Sequence, residues 1–150
     1  MLQVANSINN IYKRSFCQAD GEFLPLPSNS ADIVFSSCVL HHIAAEKIEN
    51  VVQDLIRVCK VGGSIIIFEH NPYNLLTQLV VKTTRLDRNA HLISDKNLAK
   101  TALKLGLKKS RVQFILYGSL GIDHVINTRF TFINKLPLGG QYYLIAQKEE

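Results

Sequence analysis

Residues 30–43 read Ser30-Ala31-Asp32-Ile33-Val34-Phe35-Ser36-Ser37-Cys38-Val39-Leu40-His41-His42-Ile43. The nearly continuous apolar run at Ile33-Val34-Phe35 fits a strand buried on both faces, as in a parallel sheet. Upstream, Leu24-Pro25-Leu26-Pro27-Ser28-Asn29-Ser30 is a loop, because two prolines remove donors and fix φ. Downstream, Ile48, Val51, Val52, Leu55, Ile56 and Cys59 recur at helical spacing, with Lys47, Glu49, Gln53 and Arg57 at the other positions. This spacing predicts a helix that stops before Gly62-Gly63. Ser64 to Phe68 predicts a second buried strand, ending at Glu69-His70-Asn71-Pro72.

The same alternation continues outward. Residues 2–13 read as a helix end, and Ser15 to Ala19 as a short strand closed by Asp20-Gly21. Residues 74–84 form a helix with Leu75, Leu76, Leu79 and Val80 on one side. Ser94 caps a further helix whose Leu98, Ala102 and Leu105 face inward before Gly106. Arg111 to Tyr117 and Gln141 to Gln147 read as strands, and one of Tyr142 and Tyr143 should be core. Residues 118–137 carry no clear pattern. Strands alternating with helices imply an α/β fold, a mostly parallel sheet with helices on its faces. Ligands of such sheets bind beyond the carboxyl ends of the strands. Asp20-Gly21, Ser36 through His42, and Glu69 through Asn74 each follow a strand, so they should line one rim.

Composition narrows the function. The chain has 150 residues, which suits a single domain over 1–150. Its hydrophobic content of 47% excludes wholesale disorder. No apolar run reaches the ~20 residues of a membrane span. The start lacks the apolar core and cleavage site of a signal peptide, so a cytoplasmic protein is expected. Cys17, Cys38 and Cys59 form no Cys-x-x-Cys, so reduced thiols fit better than a disulfide or zinc ribbon. The net charge of +5 permits an anionic ligand without demanding nucleic acid. Lys96, Lys100, Lys104 and Lys108 recur on one helix face, which reads as a solvated face, and no aromatic residues interleave it as single-stranded nucleic-acid binding would ask.

The rim segments resemble the class I S-adenosylmethionine-dependent methyltransferases. The likeness runs from Ala19-Asp20-Gly21-Glu22-Phe23-Leu24-Pro25-Leu26-Pro27 through Ser30–Ser37 to Val39-Leu40-His41-His42-Ile43. It continues through Leu55–Gly63 into the strand at Ser64–Phe68. Each piece is weak alone; the ordered set is specific. Glu69-His70-Asn71-Pro72 and Leu136–Tyr142 resemble a bacterial subgroup acting on small molecules. The resemblance implies a Rossmann-like sheet in the order 3-2-1-4-5-7-6, with strand 7 antiparallel. The family opens with a strand ending in Gly-x-Gly-x-Gly, and no Gly-x-Gly precedes Asp20 here. An N-terminally truncated form, lacking strands 1 and 2 and half of the cofactor site, is therefore expected. Ile33-Val34-Phe35 would then be an unpaired apolar edge, open to self-association or a partner chain. Strand Ser15–Ala19 would lose its neighbour.

Residue roles follow from the same resemblance. Asp20 would accept from the adenine amine and the Gly21 amide would reach a ring nitrogen. The plain alternative is a turn aspartate before glycine. Ser36 and Ser37 would lie along the methionine part of S-adenosylmethionine, or else simply cap the connection. Glu69, His70 and Asn71 sit on the expected side of a small-molecule acceptor. A carboxylate beside an imidazole could position and deprotonate it, with His42 as a further candidate base. Adjacent on a helix, His41 and His42 would point about 100° apart and share a metal poorly. Cys38, His41, His42 and His70 match no zinc spacing, so no metal is expected. A non-catalytic remnant unable to bind cofactor alone is the other reading.

Overall fold

Strand β1 (Ala31–Ser37) is followed by 3-10 turns at Leu40–His42 and Ala45–Lys47, helix α1 (Ile48–Val58) and strand β2 (Cys59–His70). Helices α2 (Leu75–Thr83) and α3 (Asp95–Lys104) come next, then β3 (Arg111–Ile115), a 3-10 turn at Thr131–Lys135 and β4 (Gln141–Gln147). The computed structural model describes residues 16–118 and 130–150. The helix end expected at 2–13, Ser15, and 119–129 of the unread stretch lie outside the described residues.

The sheet order is β1-β2-β4-β3. β1 runs parallel to β2, with Val34 beside Ile65 and Ser37 beside Phe68. β4 is antiparallel to both β2 and β3. Three strands therefore share one direction and only β4 opposes them. This is the order of the last four strands implied by the resemblance, with the antiparallel strand in its expected place. The α1 crossover is what a parallel β1–β2 pair requires. α1 buries Val51, Val52, Leu55 and Val58, each stabilising by about 1.5–3 kcal/mol relative to exposure. The core continues through Leu40, Ile65, Ile67, Leu98, Ala102, Phe114 and Leu144. Ser94 caps α3 by accepting from the Asn97 amide at 3.2 Å, and Leu98 and Ala102 face inward as the spacing predicts. Lys96, Lys100, Lys104 and Lys108 are exposed. Tyr142 is core, its hydroxyl donating to Ile93 O at 2.8 Å; Tyr143 lies on the other face against Phe68.

Four expectations change. First, residues 16–20 are exposed and form no strand; they join none of the four described strands. Second, α1 ends at Val58, where the Cys59 amide donates to Leu55 O, and Gly62-Gly63 lie inside β2. A Cβ on Gly63 would stand 2.8 Å from Asp32 O. The glycine thus serves the close approach of β1 at the register shift between Ala31 and Ile33, not a helix end. Third, β3 stops at Ile115 because Leu116 turns to φ 62. Fourth, Leu75, Leu76, Leu79 and Val80 are exposed, and α2 buries only Val81. That helix is held by polar ties instead: Asn74 Oδ1 accepts from the Thr77 amide and Thr77 Oγ1 donates to Gly140 O.

At the sheet's edge, β1 has no second neighbour among the described residues. Val34 and Ser36 are buried, while Ile33 is 64% and Phe35 68% exposed. The expected apolar edge is present. None of the described helices is long and apolar enough to cross a membrane.

Candidate functional site

Two features lie beside β1, one along its free edge and one after its carboxyl end. The first is a cleft of about 380 Å³ along the free edge of β1. Gly21, Leu26, Ile33, Phe35, Ser36, Ser37 and Val39 line it. Gly21 has φ +89, a conformation that other residues rarely adopt, and so turns the chain at the cleft wall. Asp20 beside it is exposed. Its Oδ1 accepts from the Glu22 amide at 2.9 Å and the Phe23 amide at 3.0 Å. These bonds, Phe23 first, hold its carboxyl below the usual range. The residue therefore makes the turn that the plain alternative describes, and uses two of about four acceptor positions in doing so.

That wall is fastened by a pair the sequence reading did not single out. Asp54 Oδ2 accepts from the Leu24 amide at 2.7 Å. Arg57 Nε donates to Asp54 Oδ1 at 2.6 Å, and its two Nη atoms donate to Leu26 O and Leu24 O. The guanidinium lies over the Phe23 ring, 4.6 Å from its centre. Arg57, then the Leu24 amide, hold the Asp54 carboxyl below its ordinary range against the opposing effect of burial. The only sequence signal was an Asp-x-x-Arg spacing on the helix facing a proline-rich loop.

The second feature is a histidine cluster. Cys38, at φ 53, turns the chain off β1, and its amide donates to Phe68 O at 2.9 Å. The 3-10 turn that follows sits on Glu69, which is fully buried. Glu69 Oε1 accepts from the Leu40 amide at 2.8 Å, and Oε2 lies 2.6 Å from His41 Nδ1. His41 is 1% exposed. Burial by itself pushes its imidazole down, but the hydrogen bond and charge of Glu69, with the charge of Asp87, outweigh it and the net direction is up. The rings of His41 and His42 lie 4.2 Å apart, and those of His41 and His70 5.0 Å. Both Nε2 atoms of His41 and His42 face Asp87 Oδ1, at 3.7 Å and 3.3 Å. The expected divergence of the two histidines is thus corrected. They sit on a 3-10 turn, not an α-helix, and Glu69 fixes one ring. Asp87 lies in a stretch without sequence signal.

His70 is half-buried, with Nδ1 3.4 Å from Gln141 Nε2. Burial, then the charge of His41, push its imidazole down, which favours the neutral form. It lines a separate cavity of about 200 Å³ with Leu76, Thr77, Val80 and Gln141 among its neighbours. Asn71 is fully buried. Its Nδ2 donates to Pro137 O and Gly139 O, and its Oδ1 accepts from the Tyr73 amide. The three rim segments therefore do not open into one hollow. Gly21, Ser36 and Ser37 share the cleft; Glu69, His70, His41 and His42 cluster beside it; Asn71 ties the loop before β4.

The family model described as a methyltransferase domain matches residues 1–67. The chain is similar in structure to a SAM-dependent methyltransferase from Archaeoglobus fulgidus, at 20% identity and TM-score 0.61 over 82% of this chain and 62% of that one. It is similar to an S-adenosylmethionine-dependent methyltransferase from Mesorhizobium loti, at 18% identity and TM-score 0.66 over 99% and 76%. A complex between the Haloferax volcanii Trm112 methyltransferase activator and a methyltransferase also matches, at 17% identity and TM-score 0.69 over 100% and 68%. Identities this low speak for the fold. The chain spans about 62% of the length of the first of these relatives. No curated protein sequence matches it.

Proposed function

We propose that this chain, which has the fold of the class I S-adenosylmethionine-dependent methyltransferases, transfers a methyl group from S-adenosylmethionine to a small-molecule acceptor. It acts as a single methyltransferase-like domain of a cytoplasmic protein. The observation that carries this reading is the cleft along the free edge of β1, in which Gly21 meets Ser36 and Ser37 at the carboxyl end of that strand. Free thiols at Cys17, Cys38 and Cys59 suit the compartment.

The cofactor fits the described residues over part of its length. The apolar wall suits a purine ring, and the exposed Asp20 carboxylate suits its exocyclic amine. The ribose end is less well served. Glu22 is paired with Lys47 and Asp54 with Arg57, so neither acid near the cleft is free for the ribose hydroxyls. When bound, the cofactor supplies a methyl group on a sulfonium, already activated, so alignment matters most. Leu26, Ile33 and Val39 give the cleft apolar walls, and all three are exposed along the free edge of β1. The Asp54–Arg57 clamp holds its outer wall. Outside the cleft, in a separate apolar cavity, His70, which burial favours in the neutral form, has the chemistry to take a proton from an acceptor hydroxyl or amine. His42 is a second candidate at the exposed end of the cluster. Glu69 acts through His41, fixing the turn that carries His42, and Asn71 keeps the acceptor-side loop in place.

A second reading has its own observation. The bare β1 edge and the paired acids favour a module that binds cofactor only with a partner strand supplied. Calorimetry on the folded chain separates the two. Binding of S-adenosylmethionine and S-adenosylhomocysteine, weakened by Asp20→Ala, supports the enzyme. A folded chain that binds neither leaves the module.

A further inference from the structure

The geometry points to a divalent transition-metal site formed by His41 Nε2, His42 Nε2 and Asp87 Oδ1. The three donor atoms lie within 4.8 Å of one another. Asp87 Oδ1 is 3.7 Å from one nitrogen and 3.3 Å from the other. A tetrahedral ion with bonds of about 2.0–2.1 Å places its donors roughly 3.3–3.5 Å apart. The two Asp87 distances already match that spacing to within a few tenths of an ångström, and the two imidazole nitrogens must close from within 4.8 Å.

A separate observation marks His41 as a ligand. The residue is 1% exposed, and its Nε2 has no hydrogen-bond partner among the described residues. A buried polar atom left unpaired is rare and costs free energy. The other ring nitrogen is fixed by Glu69 Oε2 at 2.6 Å. With the proton on Nδ1, the Nε2 lone pair points at Asp87. A carboxylate that orients an imidazole whose far nitrogen faces a metal is the usual outer shell of such a site. His42 and Asp87 are 43% and 19% exposed, which provides an entry path and leaves a coordination position for water.

Two imidazoles and one carboxylate select a zinc-type ion over magnesium or calcium, which favour all-oxygen ligands. The ion would cross-link the segment around Asp87 to the turn after β1, now joined by the bond from the His91 amide to His41 O. The rival state of the same cluster is metal-free, with a protonated His41 between Glu69 and Asp87. The site stands or falls independently of methyl transfer.

The test is zinc titration of the folded chain by calorimetry, with Cys17→Ser as background to remove an exposed thiol. Cobalt(II) serves as the visible-absorption probe. One equivalent of zinc should bind, and the melting temperature should rise with zinc and fall back with chelator. His42→Gln changes an exposed side chain and Asp87→Asn an isosteric, partly buried one, so both should still fold. Each should weaken zinc binding at least tenfold and abolish both the cobalt spectrum and the zinc-dependent melting shift. Glu69→Gln should weaken binding about 10–100-fold while leaving all three ligands in place. Sub-stoichiometric binding, or binding undiminished in both ligand variants, overturns the site. So does an Asp87→Asn melting change that is equal with zinc and with chelator, since that is the behaviour of the ion pair alone.

Discussion

Glu69 joins β2 to the turn after β1, and replacing it should show how that turn is held. Its two oxygens accept from the Leu40 amide at 2.8 Å and meet His41 Nδ1 at 2.6 Å, all without solvent. Glu69→Gln keeps the shape and can still accept from Leu40. Its amide nitrogen then faces His41 Nδ1, so the imidazole must move its proton to Nε2. One charge-assisted bond is lost, worth about 1.5–3 kcal/mol. Glu69→Leu removes both bonds and orphans the buried Leu40 amide as well. Each orphaned group costs about 1–3 kcal/mol, so this variant should lose roughly 3–5 kcal/mol in all. Against a typical total of about 5–15 kcal/mol, it should stand near the limit of folding. Urea denaturation reads both changes as lower midpoints at unchanged m, and nitrogen NMR reads the tautomer of His41. The reasoning is refuted if Gln costs as much as Leu, or if the Gln variant keeps the Nδ1–H tautomer.

Other perturbations probe the edge, the cleft wall and the crossing of β1 with β2. The Asp54 carboxyl is held below its unfolded value, chiefly by Arg57. Its contribution is therefore complete above about pH 4 and is lost as the pH falls through the lower folded value. Acid unfolding of Asp54→Asn should lack that component, and an unchanged acid limb would remove the clamp from the account. Phe35→Lys places a charge on the bare β1 edge at a site already 68% exposed. It should leave monomer stability within about 0.5 kcal/mol and suppress concentration-dependent association in sedimentation; the same mass distribution as the parent would acquit the edge. Gly63→Ala puts a methyl 2.8 Å from Asp32 O. Overpacking of this kind costs about 1–3 kcal/mol, and a melting temperature equal to the parent's would show that the strands part freely.

How much the sequence disclosed depended on how local the cause was. β1, β2 and β4 were legible because apolar runs and turn residues lie within each strand. The position of Tyr142 followed from simple alternation. α3 was legible because Ser94 caps it and its apolar positions meet the core. α2 has an equally regular apolar stripe, yet Leu75, Leu76, Leu79 and Val80 face solvent. Periodicity specifies a face and does not specify what covers it. Gly62-Gly63 looked like a helix end because glycine marks both helix ends and close strand approach. The site split along the same line. Ser36 and Ser37 end β1 and Gly21 marks its own turn, so the three were legible locally, and they line one cleft although no strand precedes Gly21 among the described residues. Asp54, Arg57 and Asp87 act across tens of residues of chain, and no local pattern announces a partner at that distance.

The free edge of β1 and the cleft are one feature. Ile33 and Phe35 are exposed on the edge and also line the cleft. A strand that paired with β1 would therefore become the far wall of the same hollow. It would bury the apolar edge and bring backbone amides to the side where the described acids are already paired to Lys47 and Arg57. Edge pairing and cofactor binding are then linked equilibria. A segment that raises cofactor affinity by some factor must have its own affinity raised by cofactor to the same degree. That reciprocity separates a cleft completed by strand pairing from one that merely lies beside a sticky edge. In the first case cofactor tightens association at β1, and in the second it leaves association unchanged.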